Sequence, residues 1–213
     1  MDELLRGIKS MTSEKISRHG LFSGKKIIIV HGYMASSSSH WFPWLKEKLQ
    51  QQGAEVIVPT MPESSAPEPE AWADMLMDIV PEVDKNSIFI GHSLGCIAVL
   101  RHLESIRSRY RHLGGYVLVA GFDSPQRTLP ELNTFTVEPL DYAFLREITE
   151  HRISLISAND DIVSPQSSLK LAHSLQTEVI NVANSGHFLD RDGFTHLLPV
   201  YDILKSMLTE KGA

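Results

Sequence analysis

From Lys26 onward the chain alternates between two hydrophobic patterns. Runs of four or five apolar, largely β-branched residues, such as Ile27-Ile28-Ile29-Val30, give way to longer stretches in which apolar positions return every three or four residues. The first pattern predicts strands buried on both faces, and the second predicts amphipathic helices. Strands are expected at Lys26–Val30, Glu55–Val58, Ser87–Ile90, Tyr116–Ala120, Ile153–Ser157 and Glu178–Val182. Helices are expected near 40–52, 68–80, 95–109, 141–151, 165–176 and 196–209. Such alternation builds a parallel sheet, because parallel neighbours need a crossover helix where a hairpin would serve antiparallel ones. The expected fold is therefore α/β, with six parallel strands and helices on both faces. Residues 1–24 lack a strong period and read as an N-terminal extension to a single domain over 25–213. Between Gly121 and Arg152 the chain is mostly loop with one helix, too short for a separate cap domain and long enough to flank a site.

Composition narrows the function classes. With 213 residues, 42% hydrophobic and 22% charged, the chain can bury a full core without staples. Its single cysteine, Cys96, permits no intrachain disulfide and no zinc site built on cysteine pairs. Neither a His-Glu-x-x-His pair, nor a Walker loop, nor Gly-x-Gly-x-x-Gly occurs, so no zinc or nucleotide site is expected from motifs. A net charge of −6 gives no basic footprint for nucleic acid or for an anionic membrane. The start of the chain, Met1-Asp2-Glu3-Leu4-Leu5-Arg6, is acidic and lacks the apolar core of a signal peptide, and no stretch approaches a membrane span. A cytoplasmic location is expected.

Chemistry concentrates where predicted strands end. Gly91-His92-Ser93-Leu94-Gly95 joins the strand Ser87–Ile90 to an apolar helix start. A serine on so sharp a turn is held in a strained, exposed backbone position, and glycines on either side let strand and helix close on each other. The hydroxyl also lies at a helix N-terminus, where free N–H groups stabilise developing negative charge. Two further strand ends carry partners. Asp160 and Asp161 follow Ile153–Ser157, and either carboxylate could accept Nδ1–H of a histidine. His187 follows Glu178–Val182 and completes the order Ser, Asp, His. With the strands in spatial order 2-1-3-4-5-6, that order reverses between strands 1 and 3, and a ligand crevice is expected there. His31-Gly32 and Ser93 then lie on either side of it.

Taken together, strand-His31-Gly32-Tyr33, His40-Trp41, Gly91–Gly95, the Asp160 segment and Gly186-His187-Phe188 resemble the α/β-hydrolase fold. More narrowly they resemble the YdeN-type serine hydrolases related to retinoblastoma-binding protein nine, over residues 25 to about 208. The resemblance implies a cofactor-free Ser-Asp-His triad: Ser93 as nucleophile, Asp160 as acid and His187 as base. It selects Asp160 over Asp161 because the acid generally stands three residues before an apolar residue, here Val163. It also implies that the backbone N–H groups of Tyr33 and Leu94 form the oxyanion hole. A retinoblastoma-type partner is not supported, since Leu94-Gly95-Cys96-Ile97-Ala98 lacks the glutamate of Leu-x-Cys-x-Glu.

The expected activity is hydrolysis of small acyl esters through an acyl-enzyme. Thioesters, amides and acyl transfer share the first half-reaction, and a non-catalytic binding protein on the same scaffold is the alternative from another class. Tyr33, Trp41, Phe42 and Trp44 are expected in the core, and the basic stretch Arg101, Arg107, Arg109, Arg111 is expected on a solvated helix end.

Overall fold

The computed structural model of the chain describes residues 20–109 and 112–209, so most of the expected N-terminal extension lies outside the described residues. Six strands form one all-parallel sheet in the order β2-β1-β3-β4-β5-β6. They are β1 (Lys26–Val30), β2 (Glu55–Ile57), β3 (Ser87–His92), β4 (Gly115–Val119), β5 (Arg152–Ile156) and β6 (Glu178–Asn181). The helices are α1 (Phe42–Gln51), α2 (Pro69–Ile79), α3 (Leu94–Ser105), α4 (Tyr142–Glu147), α5 (Pro165–Leu175) and α6 (Leu198–Thr209).

Side chains that alternate along the central strands feed two separate cores. Ile28, Val30, Phe89, Tyr116 and Leu118 pack with α2, α3, α4 and α5 on one face. Ile27, Ile29, Ile88, Ile90, Val117 and Val119 pack with α1 and α6 on the other. Continuous apolar runs in β1 and β3 are thus needed because both faces are covered. Truncating one of these fully buried Ile or Leu residues to Ala would cost about 2–5 kcal/mol.

Differences from the sequence expectation have local causes. β3 extends two residues past Ile90, because Gly91 and His92 still pair with Leu118 and Val119. α3 stops at Ser105, short of 109. At its end Arg107 and Arg109 are exposed, as expected, Arg107 pairing with Asp141 and covering the Phe144 ring at 4.2 Å, whereas Arg101 is half-buried and donates to the carbonyls of Glu138 and Pro139. Arg111 lies outside the described residues. The segment after β4 carries, besides α4, a 3-10 turn at Pro130–Thr136 that sends Leu132 and Phe135 into the core. α5 starts as its sequence suggests, with Pro165 in the first turn and Ser164 Oγ accepting from Ser167 N.

Candidate active site

Ser93 stands between β3 and α3 with φ 55° and ψ −122°, a backbone region that an L residue occupies only under strain. Its N–H continues the sheet ladder to Val119 O at 2.9 Å, and its carbonyl accepts from Cys96 N at 3.0 Å, so ladder and helix together hold it there. The turn has no room for larger neighbours. A Cβ on Gly95 would lie 2.2 Å from Val30 O, and one on Gly91 would lie 2.6 Å from Cys96 Cα. Cys96 is buried and hydrogen-bonded to Val119 O, and burial pushes its thiol pKa far up, so it serves as a small core residue.

The loop after β1 abuts this turn. A side chain on Gly32 would approach Ser93 Cβ to 2.9 Å, which makes glycine the residue that fits. His31 fixes the direction of the peptide that follows. Its Nε2 accepts from Met61 N at 2.9 Å, which leaves the proton on Nδ1 to donate to Gly32 O at 2.8 Å. Burial lowers the His31 pKa and favours this neutral form. With the Gly32 carbonyl turned toward His31, the N–H of Tyr33 across the same trans peptide points the opposite way. Neither that N–H nor the N–H of Leu94 has a protein acceptor among the described residues.

Across the sheet, Asp160 and His187 form a buried pair. His187 Nδ1 donates to Asp160 Oδ2 at 2.7 Å, and the other carboxylate oxygen accepts from Ile162 N and Val163 N, each at 2.9 Å. Val163 therefore does more than mark a spacing, since its N–H orients the acid. Asp161, by contrast, is exposed and makes no hydrogen bond to the pair among the described residues. The loops carrying the pair are stitched together: Asn159 Oδ1 accepts from Gly186 N, and Ser157 Oγ accepts from Ser185 N. Asp192 Oδ2 accepts from His187 N and Leu189 N, holding the loop from its far side.

Ser93 and His187 line one cavity of about 300 Å³, together with Gly32, Tyr33, Met34, His40, Leu129, Ile162 and Arg191. Trp41 and Phe42 are fully buried as expected, whereas Tyr33 departs from expectation by lining the cavity, and Trp44 is only half-buried. His92 supports the site from below. Its Nε2 donates to His187 O at 2.9 Å, and its ring packs against His187 and Phe42. Burial holds the His92 pKa well below the usual value, so the ring stays neutral, and its Nδ1 has no partner. The sequence placed His31 beside the serine but did not reveal its tautomer, and it gave no sign of Asp192 or of what His92 touches.

This arrangement has counterparts among known proteins. A family model described as serine hydrolase matches residues 27–206. The chain is 39% identical over 187 residues to YdeN of Bacillus subtilis (strain 168), covering 88% of this chain and 98% of that protein. The crystal structure of the B. subtilis ydeN gene product superposes with a TM-score of 0.81, covering 87% of this chain and 99% of that one. Serine hydrolase RBBP9 of Rattus norvegicus is 25% identical over 191 residues, 88% of this chain and 97% of that protein. Est1E of Butyrivibrio proteoclasticus, at 14% identity, shares the fold with a TM-score of 0.69 over 89% of this chain and 90% of that one. The family match begins within β1, ends within α6 and so takes in every strand and loop that carries Ser93, Asp160 and His187: the chain belongs to the serine hydrolase family.

Proposed function

We propose that the protein hydrolyses small acyl esters through a Ser93-His187-Asp160 triad and an acyl-enzyme intermediate. The observation that carries this reading is the buried Asp160–His187 hydrogen bond of 2.7 Å, which shares a cavity with a serine held at φ 55°. Because Asp160 accepts from Nδ1, neutral His187 has its lone pair on Nε2 and can act as a base toward Ser93 Oγ. Ser93 Oγ bonds to the acyl carbon as its proton passes to His187, and the N–H groups of Tyr33 and Leu94 hold the oxyanion. Collapse expels the alcohol, which takes the proton from His187. Water then repeats the sequence and releases the acid. Asp160, already fixed by two backbone N–H groups, stabilises the imidazolium without taking its proton.

The 300 Å³ cavity is sized for a short acyl group, and its walls are largely apolar. A fluorophosphonate probe tests the reading directly. Covalent labelling that maps to Ser93 and disappears in Ser93→Ala supports it, and a folded protein that stays unlabelled favours a non-catalytic binding role.

A further inference from the structure

His40 lines the cavity and plays no part in the chemistry derived above. Its backbone is strained, with φ 53°, and its ring is half-buried. Asp190 N donates to His40 Nδ1 at 3.2 Å across 150 residues of sequence, tying the loop after β1 to the loop that carries His187. With Nδ1 used as an acceptor, the neutral ring carries its proton on Nε2. That N–H has no protein acceptor among the described residues. Burial lowers the His40 pKa and favours the neutral ring, partly opposed by the Asp190 carboxylate 3.4 Å from Nδ1. Arg191 lines the same wall, and its guanidinium also has no protein acceptor among the described residues. The neighbouring carboxylates are turned into their own loop, Asp192 onto His187 N and Leu189 N and Asp190 onto Arg191 N.

The rings of His40 and His187 both flank His92, at centroid distances of 5.8 and 5.1 Å. In the proposed reaction His187 hands its proton to the departing alcohol, and His40 lines the same cavity. We infer that His40 Nε2–H, with Arg191 at the cavity mouth, binds an oxygen on the leaving alcohol and makes the site selective for esters of oxygen-bearing alcohols over alkyl esters. This inference rests on the hydrolase reading. Thr128 donates to Ile162 O to join a second loop pair, whose Leu129 and Ile162 supply apolar wall for the acyl chain.

The test compares propyl butanoate with 2,3-dihydroxypropyl butanoate, which share an acyl group and differ only in the alcohol. Wild type should prefer the diol ester in kcat/KM by about three- to tenfold or more, the lower end being the range of a single neutral hydrogen bond. His40→Phe keeps a ring but no donor and should cut the ratio to less than half its wild-type value, leaving only what Arg191 contributes, whereas His40→Gln, with an amide N–H, should retain most of the preference. Fluorophosphonate labelling of Ser93 in each variant checks that the site is assembled. Equal ratios in wild type and His40→Phe, or no preference in wild type, overturn the inference while leaving the hydrolase reading intact. Absence of both labelling and turnover in wild type overturns the two together.

Discussion

The two ends of the sheet are built to different rules. Cavities do not separate them: the site cavity at the C-terminal ends of the strands has about 300 Å³, and cavities of about 300 and 540 Å³ lie near the N-terminal ends. Histidines and charges do not separate them either, since Lys25, Lys85, His112, Glu150 and His151 line one of the N-terminal cavities. Backbone strain does. Among the described residues eight non-glycine positions have positive φ, and seven follow a strand: Met34, His40, Glu63, Ser93, Ala120, Asn184 and Phe188. Only Gln176 leads into one, and the turns entering β1 and β2 use Gly24 and Gly53 instead. An L residue in the left-handed region costs about 1–2 kcal/mol, so the N-terminal turns are relaxed by glycine, while the site end, which also uses Gly186 and Gly193, keeps side chains at seven positions where glycine would be easier. The side chains kept under strain include Ser93 and His40, both of which face the cavity.

The strongest way to break this contrast is to remove the side chain for which the strain is held. Ser93→Ala should reduce ester turnover on the order of 10⁴-fold or more, with the thermal midpoint nearly unchanged, because the hydroxyl makes no protein hydrogen bond among the described residues. Turnover near the wild-type level would remove Ser93 from the reaction. Next in size is the acid. Asp160→Asn should cost about 10⁴-fold in kcat by letting His187 take the wrong tautomer, and exposed Asp161→Asn should cost less than about tenfold, as expected of a surface change. Steady-state kinetics giving the reverse ranking would reassign the acid.

Much of the scaffold was legible because the pattern that specifies it is local. Ile27–Val30 and Ser87–Ile90 show burial on both faces directly, and the Ser, Asp, His order follows from which strand each residue succeeds. What could not be read depends on approach between distant segments. The His40–Asp190 contact spans 150 residues and the His92–His187 contact 95, and neither leaves a periodic trace. The 3-10 turn at Pro130–Thr136 was hidden because its buried residues, Leu132 and Phe135, are too few to set a period. Asp160 and Asp161 were separable only through resemblance; in the folded chain the N–H groups of Ile162 and Val163 make the distinction physical.

Two buried histidines, one at the turn before Ser93 and one far along α3, sharpen the comparison by responding to acid. Burial pulls His102 down to about 4, with its Nε2–H donating to Val80 O, and His92 lies well below its ordinary value for the same reason. Both folded-state values fall below the unfolded one, so this stability is fully present above about pH 6.5 and is lost as pH falls toward the folded values. From pH 6.5 to 5 His102 alone should remove about 1.5 kcal/mol. Denaturant midpoints at pH 7 and 5 should therefore differ more in wild type than in His102→Phe. The pH profile of kcat should be alike in the two, because His102 does not line the cavity. Identical midpoint shifts would remove His102 as an acid-sensitive group.

The smallest effect tests the contrast itself, by exchanging the two rules. Ser93→Gly puts into the strained turn the residue that tolerates φ 55° and ψ −122°, so it should raise stability by up to about 1 kcal/mol while abolishing turnover. The gain is held below the full strain energy because glycine also loses more chain entropy on folding. Gly53→Ala makes the opposite exchange at the relaxed end. There φ is +88°, and the added Cβ would lie 3.2 Å from Ser23 Cα. Left-handed strain and the tight contact should together lower stability by about 1–2 kcal/mol with kcat unchanged. Thermal unfolding of the two variants beside wild type reads both signs at once. Were Ser93→Gly to destabilise as much as Gly53→Ala, the Ser93 backbone would be no more strained than an ordinary turn, and the distinction between the two ends of the sheet would fall.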